Sequence, residues 1–315
     1  MRNHYLPQSY LKRFSGPSGL WQFSNRDGGF ERRNVKKAGQ QRGLYPDELE
    51  AGYLQRIDGE ASVLLRNLIW SGPKAPQLSN DSRCLLSRWI SLFALRIPKV
   101  MGDFENMVDA ASKDPDQAID VLNKNRKQVI EILEQTSPEA FSALKKDLGF
   151  DAAVEYAIFN FSIAVRAGRI KFTPDAKDCF GDFINTNRIE NYAKRIRNRH
   201  WLWLRSDSDF IVGDNPLCRW HKNEQKWNYG IDRQGLEITI PINNRITLQI
   251  QKKQASEKYF IPIDRKRVRE LNWRQLMSSY KYVYGSESSL RPMAKFCVEM
   301  AMKKRAIDSP PRHQP

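Results

Sequence analysis

The sequence predicts an α+β fold, with a largely helical N-terminal two-thirds followed by a small antiparallel sheet with flanking helices. From about residue 47 to residue 200, apolar side chains recur at three- and four-residue intervals, which is the period of one helix face. After residue 200 the apolar period changes to two, as in half-buried strands. Because the helices precede the strands instead of alternating with them, α+β is favoured over a doubly wound parallel sheet.

The predicted elements follow this change of period along the chain. An apolar stripe from Leu54 to Leu68 marks the first long helix, and Asn80-Asp81 are good capping residues for the second. Prolines separate the later helical segments, because a proline interrupts the hydrogen bonds of a helix. Further helices are expected at 116–135, 151–167, 182–198, about 263–279 and about 288–304, and strands at 201–204, 210–212, 236–240, 246–250 and 281–284.

Residues 1–45 are predicted to be irregular, with one hairpin as the exception. Leu20-Trp21-Gln22-Phe23 mixes apolar and polar side chains as a short, largely buried strand can. Asp27-Gly28 follows it, and this pair favours a hairpin turn because both positions tolerate a positive φ.

The length suggests one large domain or two unequal ones, and we expect a single domain over residues 1–305, followed by a disordered tail at 306–315 that contains Pro310 and Pro311. The helical body would occupy about 47–200, the sheet about 201–285 and the closing helix about 288–304. No uncharged apolar run approaches the roughly 18 residues that span a bilayer. The N-terminus has no secretory apolar segment, so a cytoplasmic protein without a membrane span is expected.

The four cysteines are far apart and form no Cys-x-x-Cys pair, which excludes zinc ribbons and a disulfide scaffold. Glycine-rich phosphate loops, the G-x-S-x-G serine hydrolase motif and the His-Glu-x-x-His zinc motif are also absent.

Charge is the most prominent feature of the composition. With 52 Lys and Arg against 36 Asp and Glu, the formal net charge is +16, which favours a polyanionic partner, nucleic acid first and an anionic membrane second. Tryptophans at 201, 203, 220 and 227 could stack on unpaired bases or fill the core of the sheet. Two clusters are predicted to bind nucleic acid: Lys194, Arg195, Arg197 and Arg199, and Arg265, Lys266, Arg267 and Arg269. A third basic stretch includes Arg32, Arg33, Lys36, Lys37 and Arg42.

Three motifs carry the candidate site residues. His4 stands close to a proline, and Gln8 follows it with an amide that can donate and accept; an imidazole can act as general acid or base near neutral pH. The alternative is that this segment only docks its apolar side chains into the core. Arg96, in a helix that Pro98 kinks or ends, needs an anionic partner if it is buried: either a substrate phosphate or a structural carboxylate.

The third motif is a Gly-Asp-Asn-Pro turn, Gly213 to Pro216, directly after a predicted strand. A carboxylate at a strand end is well placed for catalysis or metal binding, and Asp214 is the predicted metal ligand. The same tetrapeptide is also ordinary turn chemistry, in which Asp214 accepts backbone N–H bonds. Glu224-Gln225-Lys226 completes a weak D…E-x-K pattern of the kind that holds Mg²⁺ in nucleases.

In this order and spacing, the His4–Phe14 segment, Arg96-x-Pro98 and the Gly213–Pro216 turn resemble the DUF4238 family. That bacterial family has a similar length, opens with H-Y-x-P-Q and carries a later D-N-P turn. The resemblance covers about residues 4–285, with Leu6 where the family usually has valine. The family is functionally uncharacterised, so the resemblance implies no reaction. It implies a shared site made of His4, Gln8, Arg96, Asp214 and Asn215.

The leading hypothesis is a nucleic-acid-directed enzyme, with a nuclease as its first form. In this hypothesis His4 is the general acid or base, Arg96 clamps a phosphate, and Asp214 orients His4 or holds a metal such as Mg²⁺. Gln8 and Asn215 complete the polar site. Two alternatives stay open: a non-catalytic nucleic-acid-binding module, and a basic effector that acts on a protein partner.

Overall fold

The structure is a computed structural model, which describes residues 2–44, 49–68, 73–96, 98, 100–102, 106, 130, 134, 138–166, 188–221, 226–227, 231, 233–252 and 259–308. The chain forms two compact units. One comprises Met1–Val100 together with Gly181–Pro315, and the other comprises Met101–Phe180.

Most of the described helices and all of the described strands belong to the first unit. The helices are α1 Gln8–Leu11, α2 Gln55–Asn67, α3 Asn80–Leu95, α4 Pro138–Leu148, α5 Phe150–Arg166, α6 Arg188–Arg197, α7 Arg265–Ser278 and α8 Glu287–Asp308. The strands are β1 Arg2–His4, β2 Leu20–Ser24, β3 Phe30–Arg33, β4 Gln40–Arg42, β5 His200–Arg205, β6 Val212–Gly213, β7 Cys218–His221, β8 Lys226–Trp227, β9 Leu236–Asn243, β10 Ile246–Gln251, β11 Ile261–Pro262 and β12 Tyr282–Gly285.

The described strands form three sheets. β1 and β4 make a two-stranded ribbon, β11-β5-β10-β9-β7-β8 a six-stranded sheet, and β3-β2-β12-β6 a four-stranded sheet. Pairing is antiparallel except between β11 and β5. In the four-stranded sheet, β12 from the end of the chain pairs with β2 from its beginning.

The chain is α+β overall, but the predicted arrangement of a helical two-thirds followed by one small sheet is wrong. The described strands form three sheets instead of one: β1 and β4 lie in the N-terminal region that was predicted to be irregular, and the predicted β2–β3 hairpin joins β12 and β6. The physical reason is that β2 pairs with β12 from the end of the chain, a long-range contact that no local sequence period records. The Asp27-Gly28 hairpin is present, and Gly28 has a φ of 74° there.

One part of the core of the first unit forms where α1 meets α3. Tyr10 makes edge-on ring contacts with Phe14 and Trp89 at centroid distances of 5.2 Å, and its hydroxyl donates to the carbonyl of Pro241 at 2.5 Å. Helix α3 begins at Asn80, and its cap is Ser79, one residue before the predicted cap, because the Ser79 hydroxyl accepts the N–H of Ser82.

The predicted helix at 151–167 corresponds to α5 of the second unit, and α4 precedes it. Phe141 is buried there with Ala153, Val154 and Ile158. Residues 130 and 134 are the described part of the helix predicted at 116–135, and residues 309–315 of the predicted tail lie outside the described residues. In the part of the chain that the structure describes, no helix is both long enough and apolar enough to cross a membrane.

Cys218 should be inert to alkylation in the folded protein. Burial raises the pKa of its thiol to about 12, so the reactive thiolate is scarce at pH 8 to 9. An unfolded cysteine has a lower pKa and binds its proton less tightly, so raising the pH above about 9 favours unfolding at this site. Peptide mapping after iodoacetamide treatment at about pH 8.5 should find the half-buried Cys84 and Cys297 modified first. Equal labelling of Cys218 under native conditions would contradict its burial.

Candidate functional site

Asp214 is the most heavily hydrogen-bonded of the predicted site residues. Its carboxylate accepts three successive backbone N–H groups, from Tyr280 at 2.6 Å, Lys281 at 2.7 Å and Tyr282 at 2.8 Å. Its own N–H donates to the carbonyl of Tyr282 at 2.8 Å. Asp214 is 1% exposed, so these bonds form in a site that excludes water.

Burial raises the pKa of the Asp214 carboxyl, and the three backbone N–H groups oppose that rise because they stabilise the charged form. The three bonds use most of the acceptor positions of the two carboxylate oxygens. Of the two predicted alternatives, the observed contacts of Asp214 are those of a turn residue that accepts backbone N–H bonds. Catalysis or metal binding by Asp214 would require these bonds to be given up.

The residues on either side of Asp214 bind the end of α7. The N–H of Gly213 donates to the Gln275 side chain at 3.1 Å, and the Asn215 amide donates to the carbonyl of Ser278 at 3.2 Å. A Cβ at Gly213 would lie 2.0 Å from the Ser279 hydroxyl, so the close approach of the turn and the helix requires glycine.

The N-terminal motif is bonded to β12, the strand that begins at Tyr282. The hydroxyls of Tyr5 and Tyr284 lie 3.2 Å apart, and Tyr284 also accepts the N–H of Gly39 at 3.3 Å. Burial raises the pKa of both phenols, so both keep their protons and can donate. Tyr5 and Tyr284 therefore link the N-terminal segment to β12, close to Asp214.

His4 and Gln8 form the half-buried part of the predicted site. The two Nε2 atoms are 3.2 Å apart, a hydrogen bond across one turn of chain around Pro7. In the ribbon, His4 is paired with Gln40. Residues directly opposite each other in an antiparallel pair project from the same face, so His4 and Gln40 are neighbours on one face of the ribbon.

Arg96 is completely buried and pairs with a carboxylate. Its two terminal nitrogens donate to the two oxygens of Asp58 on α2, at 2.7 and 2.9 Å. This bidentate geometry is the strongest form of an Arg–carboxylate contact. The structural ion pair, which was one of the two predicted alternatives, is present, with Asp58 as the acid.

The three motifs thus contact different partners: His4 contacts Gln8, Arg96 contacts Asp58, and Asp214 contacts the backbone at Tyr280–Tyr282. Across the described residues, no group of three or more His, Cys, Asp and Glu could hold a metal ion. Glu224 and Gln225 of the D…E-x-K pattern lie outside the described residues.

The first predicted basic cluster, around α6, is partly structural. Arg197 donates to the sulfur of Cys84 at 3.1 Å, and Arg199 is buried and donates to the carbonyl of Ile231. Trp201 and Trp203 are buried in the core, in agreement with the interpretation of the tryptophans as core residues. Lys194 and Arg195 are exposed.

The second predicted basic cluster divides between the two faces of α7. Arg267 contacts Glu237 at 2.5 Å and Glu270 at 2.8 Å, so its charge is neutralised internally. Arg265, Lys266 and Arg269 are exposed, and no ion pair of theirs appears among the described residues. Asp264 begins this helix by accepting the N–H of Arg267 at 2.8 Å.

Beside α7 lies a cleft of about 820 Å³ between α7 and α8. Arg265, Arg269 and Trp273 line it at four-residue spacing, which places them on one helix face about 6 Å apart along the axis. Trp273 is 40% exposed and meets Phe296 of α8 edge-on at 5.5 Å between ring centroids. The sequence interpretation missed both aromatic residues, although the spacing of Trp273 from Arg269 was available as a signal.

The model of one protein family, described as "Protein of unknown function (DUF4238)", matches residues 2–289, which is nearly the whole chain. No curated protein and no solved structure matches the chain.

Replacing Asp214 should destabilise the protein. Asp214→Ala removes the acceptor of three backbone N–H groups at a buried carboxylate, for a loss of about 3 kcal/mol in the free energy of unfolding. Urea unfolding followed by circular dichroism measures this loss, with the exposed Asp207→Ala as the matched control. A stability loss no larger than that of the control would contradict the structural assignment.

Removing one partner of the buried Arg96–Asp58 ion pair should lower the free energy of unfolding more than removing both partners. Asp58→Ala leaves the guanidinium of Arg96 buried without its carboxylate, at a cost of about 3–5 kcal/mol. The double variant Asp58→Leu, Arg96→Met removes the uncompensated charge and should recover part of that loss. Unfolding curves of the three proteins give the comparison, and a double variant less stable than Asp58→Ala would contradict this account.

Proposed function

We propose that this chain, which belongs to the DUF4238 family, binds single-stranded nucleic acid along the exposed face of α7. The observation that carries the proposal is the line of Arg265, Arg269 and Trp273 beside the 820 Å³ cleft. Two guanidinium groups followed by an exposed indole supply the two contacts that a single strand offers, which are its phosphates and the faces of its unpaired bases.

The spacing of the three side chains supports a strand in preference to an isolated anion. A rise of about 6 Å per four helical residues is comparable with the distance between neighbouring phosphates of an extended strand. Arg265 and Arg269 can therefore contact successive phosphates while Trp273 contacts a base. Of the acidic groups that line the cleft, Asp209 pairs with Arg245 at 3.2 Å and Glu270 pairs with Arg267. The exposed Asp207 has no ion pair among the described residues, and the two cations Arg265 and Arg269 outnumber it.

Net charge adds to this local argument. At +16 the chain attracts polyanions from any direction, which raises the rate of encounter. Long-range attraction alone gives no register on a strand, whereas an indole that stacks on a base does. Binding would thus combine long-range attraction by the whole surface with local contacts at α7.

A nuclease activity is a finer proposal that rests on His4. His4 and Gln8 are half-buried, while the chemistry proposed for Arg96 and Asp214 would have to displace their internal partners. In this form of the proposal, His4 acts as general acid or base with Gln8 as its orienting partner. A metal such as Mg²⁺ would need ligands other than Asp214.

The binding proposal predicts unequal effects of two charge changes on the same helix. Arg269→Gln should reduce the affinity for an oligothymidine strand and flatten the slope of log K against log salt concentration by about 0.7. Lys266→Gln removes the same charge from an exposed position outside the cleft and should leave that slope close to wild type. Fluorescence anisotropy titrations from about 50 to 200 mM salt measure both.

Trp273→Ala should weaken binding by roughly 5- to 150-fold, the range of one base–aromatic stack. Tyr259→Ala, an exposed aromatic residue outside the cleft, is the matched control. Equal losses of affinity in the two variants would contradict α7 as the binding site. If wild-type protein binds no oligonucleotide even at low salt, the proposal fails and a protein partner becomes the better explanation of the basic surface.

The nuclease proposal has a separate test. Labelled RNA and single-stranded DNA are incubated with the protein in Mg²⁺, Mn²⁺ or EDTA, and His4→Ala is compared with His200→Ala, a second half-buried histidine. Cleavage that only His4→Ala abolishes supports the proposal. Intact substrates with wild-type protein in every buffer would contradict it and leave binding unaffected.

A further inference from the structure

A second positively charged cavity lies at the N-terminal ribbon, in a part of the fold that the α7 proposal does not use. It has a volume of about 420 Å³ and is lined by Arg33, Lys37, Gln40, Gln41 and Arg42. Three of these side chains are cations, two are amides and none is a carboxylate.

Local hydrogen bonds bring these residues together. The Asn34 side chain accepts the N–H of Lys36 at 2.9 Å and starts a 3₁₀ turn over Val35–Lys37. The chain then reverses at Gly39, whose φ is 60° and whose carbonyl accepts the N–H of Leu6 at 3.1 Å. A Cβ at Gly39 would lie 2.7 Å from the Cβ of Leu6, so this close return requires glycine. As a result Lys37 faces the start of β4.

The charges of the cavity are only partly compensated. Arg33 contacts Glu31 at 3.0 Å, with both side chains substantially exposed, so the contact is weak. Lys37 and Arg42 are exposed and have no ion pair among the described residues. Like charges held side by side repel each other, and a bound anion removes that repulsion.

The donor set points to phosphate oxygens. Guanidinium groups match phosphate oxygens with two parallel hydrogen bonds, a lysine adds a compact charge, and the amides of Gln40 and Gln41 can donate to further oxygens. A volume of 420 Å³ falls in the range of small-ligand sites, which is more space than one phosphate group needs.

We propose that the cavity lined by Arg33, Lys37, Gln40, Gln41 and Arg42 binds an oligophosphate group, that is, two or more linked phosphates. Because His4 is paired with Gln40 in the ribbon, the oligophosphate would lie beside the face that carries His4. The proposal is independent of strand binding by α7, since the two cavities share no residue.

The test uses inorganic tripolyphosphate as the probe, titrated calorimetrically into the full-length protein at low salt. Wild type should bind it, and the double variant Lys37→Gln, Arg42→Gln should bind at least about tenfold more weakly, as expected for losing charge-assisted hydrogen bonds. Lys36→Gln is the matched control, because Lys36 belongs to the same turn and does not line the cavity. Its affinity should stay within about twofold of wild type.

Two further arms identify the source of the phosphates and separate this proposal from the first. An oligonucleotide with a 5′-triphosphate is compared with one bearing a 5′-hydroxyl, since a gain restricted to the former indicates the end of a nucleic acid. Arg269→Gln should bind tripolyphosphate as wild type does, whatever its effect on strand binding.

No binding by wild type, or equal losses in Lys36→Gln and the double variant, would overturn the proposal. If the double variant loses thermal stability, Arg42→Gln alone should still weaken binding several-fold.

Discussion

The carboxylate of Asp214 is the constraint on which the described architecture of the first unit depends. It gathers three successive N–H groups at residues 280–282, 66 to 68 positions away along the chain. Those residues lead from the end of α7 into β12, the strand that pairs with both β2 and β6. A single buried side chain therefore sets where α7 ends, where β12 begins and how the N-terminal hairpin is attached. The buried Tyr5–Tyr284 contact continues the same junction toward the ribbon.

The basic residues divide between internal contacts and the surface. Arg96, Arg199 and Arg267 donate to internal carboxylates or carbonyls, because a guanidinium removed from water needs oxygen partners. Arg265 and Arg269 are exposed on α7 and border the cleft. Anchoring α7 at its C-terminal end holds their row in place relative to Trp273. A binding face presented by a fixed helix loses little conformational entropy when a ligand arrives.

The sequence predicted β5, β9, β10, β12 and α7 well, because their periods of two and of three to four residues are strong signals. It missed the short strands β7, β8 and β11. It predicted β2 and its hairpin, but it failed for the pairing of β2 with β12, which is a long-range contact. For Asp214 and Arg96 the sequence predicted a functional and a structural alternative. Choosing between them required the positions of Asp58 and of residues 280–282. The cleft was missed because α8 supplies Phe296 and no local pattern connects it to α7.

The most direct test of the central claim is hydrogen–deuterium exchange of the full-length protein, with and without saturating oligothymidine at low salt. The account predicts added protection over Arg265–Ser278 and the start of α8, and unchanged exchange at the amides of residues 280–282, which Asp214 already holds. Protection centred on the Gly213–Pro216 turn, with none on α7, would contradict it. That result would indicate that the nucleic acid binds at the Asp214 turn instead of at α7.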